Sequence, residues 1–388
     1  MKDRMKVPLF DLTRQYENLK KDVLKKLDAV FTSGNVVMGS NVKSLEKEIS
    51  NYLGSKYAIS VANGSDALRL SVKALDIKNG DYVITTPYTF FATVSAIVLN
   101  DAKPIFVDIE EKYYNIDLDQ VEDVLNNHPE KEKIKAIIPV HLFGKSVDLE
   151  RLEKIKKKYN IKIIEDAAQS IGSVWHYSNG EKKLTGTVGN FGIYSFFPTK
   201  NLGGYGDGGM VVTNDEYLAD RIRRLRVHGS SKKYFHEEVG YNSRLDEVQA
   251  AILRIKLKKL DEYIDKRIKK AKNYEELFQS HELDKHIDFP AYFNNRTHVY
   301  HQYVITLKDP KYRDKLKSYL NEYGIGTSIY YPLGLHLQKC FADLGYKEGD
   351  FPVTEKASKS SLALPMFPEL TKKEQEYVVK VIKQFFKK

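Results

Sequence analysis

Between residues 57 and 213, short apolar runs alternate with stretches of helical period, and this alternation constrains the fold more than any other feature. YAISV (57–61), DYVITTP (81–87), KPIFVDI (103–109), KAIIPVH (135–141), IKIIED (161–166), NFGIYSF (190–196) and GGMVVT (208–213) read as strands. Between them, SDALRLSVKAL (65–75) sets Leu68, Val72 and Leu75 at helical spacing, and VDLERLEKIKKKY (147–159) reads as another helix. Strands alternating with helices of this length predict an α/β fold with a mainly parallel central sheet sandwiched by helices.

Near residue 245 the rhythm changes. Residues 245–278 read as one long helix, with Val248, Ile252 and Ile255 on one face, that leaves the large unit for a smaller one. Beyond it, HQYVITL (301–307) reads as a strand. The last helix starts at Thr371 with Glu374 three residues on, the capping-box spacing, and buries Val378, Ile382 and Phe385. We therefore expect a large α/β domain over 1–255 and a small C-terminal α+β domain over 256–388.

The chain carries 62 Lys and Arg against 52 Asp and Glu, a surplus of +10 that suits an anionic partner. Nucleic acid is not expected. The basic helix mixes Asp261, Glu262 and Asp265 among its lysines, which is the pattern of a solvated face, and no RRM, KH, zinc-finger or homeodomain signature appears. A membrane is not expected either. The longest apolar-looking stretch, FFATVSAIVL (90–99), is too short to span a bilayer and carries Thr93 and Ser95. The first residues lack the apolar core of a secretory signal, and Cys340, the sole cysteine, has no disulfide partner in the chain. Both point to the cytoplasm.

The richest segment is SFFPTKNLGGYGDGG (195–209): a lysine just after a strand, then five glycines. Glycines permit close backbone approach, and a partly desolvated Lys200 amine can form a Schiff base with an aldehyde cofactor. Read alone, Lys200 is an ordinary surface lysine of a lysine-rich chain, and only the other parts present turn the reading toward chemistry. Asp166 ends IKIIED at the carboxyl edge of the sheet, where open α/β folds place ligands. A carboxylate there can hold a pyridinium nitrogen protonated, or cap the following helix. Gln169 can bond a phenolic oxygen on the same ring. Asn63-Gly64-Ser65-Asp66 forms a strand-to-helix turn whose free N–H groups suit a phosphate, though Ser65 or Asp66 also suits a plain N-cap. Ser195, five residues before Lys200, can add a hydroxyl. Phosphate cup, ring acid and lysine together describe a pyridoxal 5'-phosphate site, with no metal in its chemistry.

The chain resembles the sugar aminotransferases of PLP fold type I, the DegT-like nucleotide-sugar aminotransferases. The resemblance extends from PLFDLTRQY (8–16) to LPMFP (364–368), and its most specific motifs are NGSDAL (63–68), PYTFFAT (87–93), EDAAQS (165–170), the lysine segment and YNSRLDEVQAAIL (241–253). It implies that Phe90, rather than Tyr88, stacks on the cofactor ring. It implies that Gly64, Ser65 and Ser195 hold the phosphate and that Asn242 reaches the phosphate of a neighbouring subunit, so that the site needs a homodimer. Arg244, on the same loop, meets an anionic substrate or makes a structural ion pair.

Phe197-Pro198 stands where relatives that aminate C4 often carry a histidine. The resemblance therefore implies amination of a C3 ketone on a nucleotide diphosphate sugar, dTDP-linked before UDP-linked. Tyr330-Tyr331-Pro332 replaces the His-Tyr-Pro of many members, which changes the hydrogen-bond donors offered to the sugar. His336 lines the same pocket or is a satisfied core histidine. GNVVMGSNV (34–42) is where relatives touch substrate through backbone. The implied reaction is ping-pong, with L-glutamate leaving as 2-oxoglutarate and Lys200 moving the proton as general acid and base. Alternatives are a 4-keto sugar or UDP-linked 3-keto uronic acid aminotransferase, a cyclitol or aminohydroxybenzoate-type aminotransferase, and a silent auxiliary or regulatory homologue. A sugar dehydratase is disfavoured, because relatives with that activity replace the lysine by histidine.

Overall fold

The computed structural model describes residues 5–290 and 295–387. Seven strands build the central sheet: β1 (Tyr57–Val61), β2 (Tyr82–Thr85), β3 (Lys103–Phe106), β4 (Ile134–Ile137), β5 (Lys162–Asp166), β6 (Phe191–Ser195) and β7 (Gly209–Thr213), in the order β1-β7-β6-β5-β4-β2-β3. The run from β3 to β6 is parallel, and β7 runs antiparallel to both its neighbours, β1 and β6. All seven apolar runs read from the sequence become these strands.

Both faces of the sheet are covered, which explains the unbroken apolar runs. Ile59, Val83, Ile164 and Val211 enter one core with the helices Gly64–Ala74, Phe91–Val98 and Glu216–Leu225. Their neighbours Ala58, Ile84, Ile163 and Met210 enter cores on the opposite face, as the two-residue period of a strand requires.

Two expectations are corrected. The long helix is two helices, Glu247–Leu257 and Leu260–Ser280, broken at Lys258 and Lys259. The break lets the second helix cross: Leu260 and Ile264 stay in a core of the large unit, whereas Ala271, Tyr274 and Phe278 enter the C-terminal core. A boundary at residue 255 also fails to divide the chain cleanly. The buried Val7 donates its N–H to the Gly324 carbonyl at 2.9 Å and accepts from the Gly326 N–H at 2.8 Å. It lies in the core of the C-terminal unit, and Arg14 forks onto Glu374 at 3.0 and 2.7 Å. The start of the chain therefore belongs to the small unit.

That unit holds a three-stranded antiparallel sheet of Ile287–Asp288, Tyr303–Leu307 and Ser361–Leu364. Its last helix, Lys372–Phe386, carries the expected capping box, with Val378 and Ile382 fully buried and Phe385 at the core's edge.

Candidate active site

The residues singled out in sequence meet at the carboxyl edge of the sheet. Asp166 closes β5, Ser195 closes β6, and Val61, which ends β1, faces Gly209 across the ladder. Asn63 caps the helix Gly64–Ala74 by accepting from the Asp66 N–H at 2.8 Å. The N-cap is thus Asn63, not Ser65 or Asp66. Gly64 and Ser65 supply the first-turn N–H groups that a helix leaves without internal partners.

The glycines here are required by crowding. A Cβ on Gly64 would come within 2.7 Å of the Ser195 Cβ, and one on Gly209 within 2.4 Å of the Asn63 carbonyl. The missing side chains let the helix N-terminus sit directly against Ser195. This leaves a small cradle of backbone N–H groups beside a hydroxyl, which suits a phosphate.

Asp166 is 5% exposed. Its Oδ2 accepts from the Thr93 hydroxyl at 2.8 Å and its Oδ1 from the Ala168 N–H at 3.2 Å. Burial pushes its carboxyl above the ordinary range, while Thr93, Ala168 and the Lys200 ammonium pull it back. Lys200 is half-buried at the cleft. Desolvation lowers its amine to about 8, partly opposed by the Asp166 carboxylate. Lysine and acid thus lie close enough for each to feel the other's charge.

Gln169 Oε1 accepts from the Phe143 N–H at 2.7 Å, and its Nε2 donates to the Tyr331 hydroxyl at 3.2 Å. Burial raises the Tyr331 phenol, so it remains protonated. Tyr330 contributes its carbonyl, which accepts from the Tyr88 hydroxyl at 2.6 Å, and its half-buried ring lies beside Tyr331. Tyr88 is completely buried, so no flat face of it is open to a ligand, whereas Phe90 stands 56% exposed at the start of the helix Phe91–Val98.

Other residues are placed differently. Asn242 is exposed, with its backbone bridged to Val227. Arg244 is half-buried and makes no hydrogen bond or ion pair among the described residues, so the ion-pair reading finds no partner there. His336 is corrected. It is 1% exposed, with Nε2 at 3.2 Å from Glu355 and its ring edge-on to Phe351, and it belongs to the core rather than to a substrate wall.

Three residues escaped the sequence reading. Thr93 bonds Asp166 from a helix whose only other polar residue is Ser95, and a polar residue at a buried helical position is the available signal. His301 is 7% exposed and is held neutral by burial, with Lys200 nearby adding to the effect. Glu165, fully buried beside Asp166, accepts N–H groups from Gly186, Val188 and Gly189 and bonds His141 at 2.9 Å.

A cradle that a Cβ would fill, a buried acid at one end and a lysine with a depressed pKa at the other fit pyridoxal phosphate. No helix among the described residues is long and apolar enough to cross a membrane.

The profile of the DegT/DnrJ/EryC1/StrS aminotransferase family matches residues 17–383. The chain is 49% identical over 383 residues to the "pleiotropic regulatory protein" of Geobacillus stearothermophilus, covering 99% of each. It is 38% identical to the dTDP-3-amino-3,6-dideoxy-alpha-D-galactopyranose transaminase of Aneurinibacillus thermoaerophilus, covering 98% of this chain and 99% of that one. It is 37% identical to the UDP-N-acetyl-3-dehydro-alpha-D-glucosamine 3-aminotransferase of Acidithiobacillus ferrooxidans, covering 97% of each. Among solved structures, S. venezuelae DesV superimposes with a TM-score of 0.91 at 34% identity, covering 99% of each chain.

Proposed function

The chain belongs to the DegT/DnrJ/EryC1/StrS aminotransferase family and is a pyridoxal-phosphate-dependent aminotransferase, and from that premise we propose that it aminates the C3 ketone of a dTDP-linked 6-deoxyhexose with L-glutamate as donor. One observation carries the chemistry: Asp166, Gln169 and Lys200 converge with the exposed Phe90 on one edge of the sheet. The sugar assignment is supported by relatives whose names specify amino groups at C3. Both dTDP and UDP occur among them, and Phe197-Pro198 inclines the reading toward C3.

When bound, the cofactor supplies a carbonyl that takes up the amine covalently and a protonated ring that disperses the charge left by a departing proton. Each residue's task follows from its surroundings. Gly64, Ser65 and Ser195 bind the phosphate with N–H and hydroxyl donors. Asp166, fixed at both oxygens by Thr93 and Ala168, holds the ring proton and stabilises it by charge. Gln169 keeps one Nε2 hydrogen for the ring oxygen, because its Oε1 is committed to Phe143 and the other hydrogen to Tyr331. Phe90 covers one ring face.

Lys200 Nζ accepts and returns the proton. A base with a pKa near the working pH is suited to both directions, and desolvation brings the amine to about 8. Arg244 has no ion pair within the described residues and is available to an anionic substrate. Asn242 serves the neighbouring subunit of a homodimer.

The test supplies purified enzyme with L-glutamate and, separately, a dTDP-3-keto-6-deoxyhexose, a UDP-3-keto uronic acid and a dTDP-4-keto-6-deoxyhexose. Amino sugar and 2-oxoglutarate are followed by mass spectrometry. We expect equimolar products with the first substrate. Turnover of only the second or third overturns the sugar assignment, and turnover of none supports the auxiliary reading.

A further inference from the structure

One helix, Glu247–Leu257, touches the lysine loop on one face and the start of the helix Ser40–Leu53 on the other. Gln249 and Lys256, on Glu247–Leu257, are seven residues apart, so they project from nearly the same face, about 20° apart. Glu247 points about 160° away from Gln249. The two faces hold different segments. Lys256 Nζ donates to the Gly203 carbonyl at 2.7 Å and lies 4.2 Å from the Tyr205 ring centre. Gln249 Oε1 accepts from the Tyr205 N–H at 2.9 Å. On the other side, Glu247 accepts from the Asn41 N–H at 2.5 Å and the Val42 N–H at 3.1 Å.

Gly203 and Tyr205 lie on the return of the loop that carries Lys200. This loop folds back closely: the Gly204 N–H donates to the Phe196 carbonyl at 2.7 Å, and a Cβ on Gly203 would lie 2.5 Å from the Pro198 carbonyl oxygen. A Cβ on Gly204 or Gly206 would come within 2.7 or 2.8 Å of the Gln249 amide. The glycine run is therefore shaped to the helix as well as to the sheet. Asn201 Nδ2, bonded to the Val299 carbonyl at 2.9 Å, is the remaining side-chain anchor next to Lys200.

We infer that Lys256, with Gln249, is a positioning residue for Lys200. Lys256 is 2% exposed and its hydrogen bond is to a backbone carbonyl, so its ammonium is kept at the cost of desolvation. Its hydrogen bond and its aromatic contact both lie on the lysine loop, while the Glu369 carboxylate acts on it only through its charge. The inference rests on the reading of Lys200 as the reacting amine.

Hydrogen exchange of the amides in 197–208 tests it, in enzyme with and without cofactor. Lys256→Met keeps the side-chain length and removes the donor. We expect exchange there to rise about tenfold, with that in β4 and β5 unchanged. In the loaded enzyme, kcat falls and the pH midpoint of the cofactor absorbance moves, while KM for L-glutamate holds. Gln249→Leu gives the same pattern, weaker, and stands in if Lys256→Met fails to fold. Lys256→Arg restores protection. Unchanged exchange at 197–208, or an equal rise throughout, overturns the inference. Loss of activity in Lys200→Ala tests the underlying reading separately, because normal turnover there sinks that reading and not the exchange result.

Discussion

The two walls of the cleft are built on different principles. The cofactor wall is over-determined. Gly64 is pressed against Ser195, Gly209 against Asn63, and Asp166 is bonded at both oxygens. The wall proposed for the sugar is sparser. Arg244 makes no hydrogen bond or ion pair among the described residues, and the half-buried aromatic pair Tyr330-Tyr331 comes from the small unit. Chemistry shared by a whole family needs fixed geometry, whereas recognition of one sugar among many needs positions that can change without disturbing the rest.

The largest expected effect lies on the first wall. Lys200→Ala should lower turnover by more than about 10⁴-fold, the upper end of what a positioned proton-transfer group contributes. Stopped-flow or endpoint amino-sugar assays read it. Asp166→Asn should retain cofactor by spectrum yet lose about 10²–10³-fold in kcat, since the charge on the ring proton's partner is gone. Wild-type kcat in this variant would remove its role.

Gly64→Ala tests crowding alone. Its Cβ must displace Ser195, an overpacking of about 1–3 kcal/mol, and cofactor affinity should fall about 10- to 100-fold with thermal stability little changed. Behind the second wall, His336→Ala should cost about 1–3 kcal/mol of stability by leaving the Glu355 carboxylate with only the Gly349 N–H, while KM for the sugar stays within about twofold. A large rise in that KM would return His336 to the substrate wall.

The smallest effect concerns pH. In the cofactor-free protein the Lys200 amine lies at about 8 against 10.5 when unperturbed. Between those values the unfolded chain binds more protons than the folded one, so stability rises with pH across that window. Below it, the full penalty of holding the ammonium is present. Lys200→Met should flatten the rise in denaturant titrations, and an unchanged slope would show that the amine is not desolvated.

The same contrast explains what could be read in the sequence. Strands with both faces buried leave unbroken apolar runs, so the sheet was visible. Glycines forced by backbone approach cluster in sequence, so NGSDAL and the lysine loop were visible too. The wall proposed for the sugar draws single residues from separate segments, and nothing local marks His301 as a neighbour of the site. His336 stays open to two readings in sequence because a histidine paired to a buried glutamate looks there like one that faces a substrate. The break at Lys258–Lys259 was hidden because no glycine or proline marks it, and it is set by the need to reach a second core.

The bridge between Val7 and Ile325 has a consequence for synthesis. As the chain leaves the ribosome, all seven strands of the central sheet are made long before Gly324 and Gly326 appear, so Val7 waits for its backbone partners until more than 300 residues have been added. The small unit closes only when both ends are present, and it locks the polypeptide as a clasp does. A fusion that stiffens the first ten residues is therefore expected to slow the final step of folding and to leave the early ones untouched.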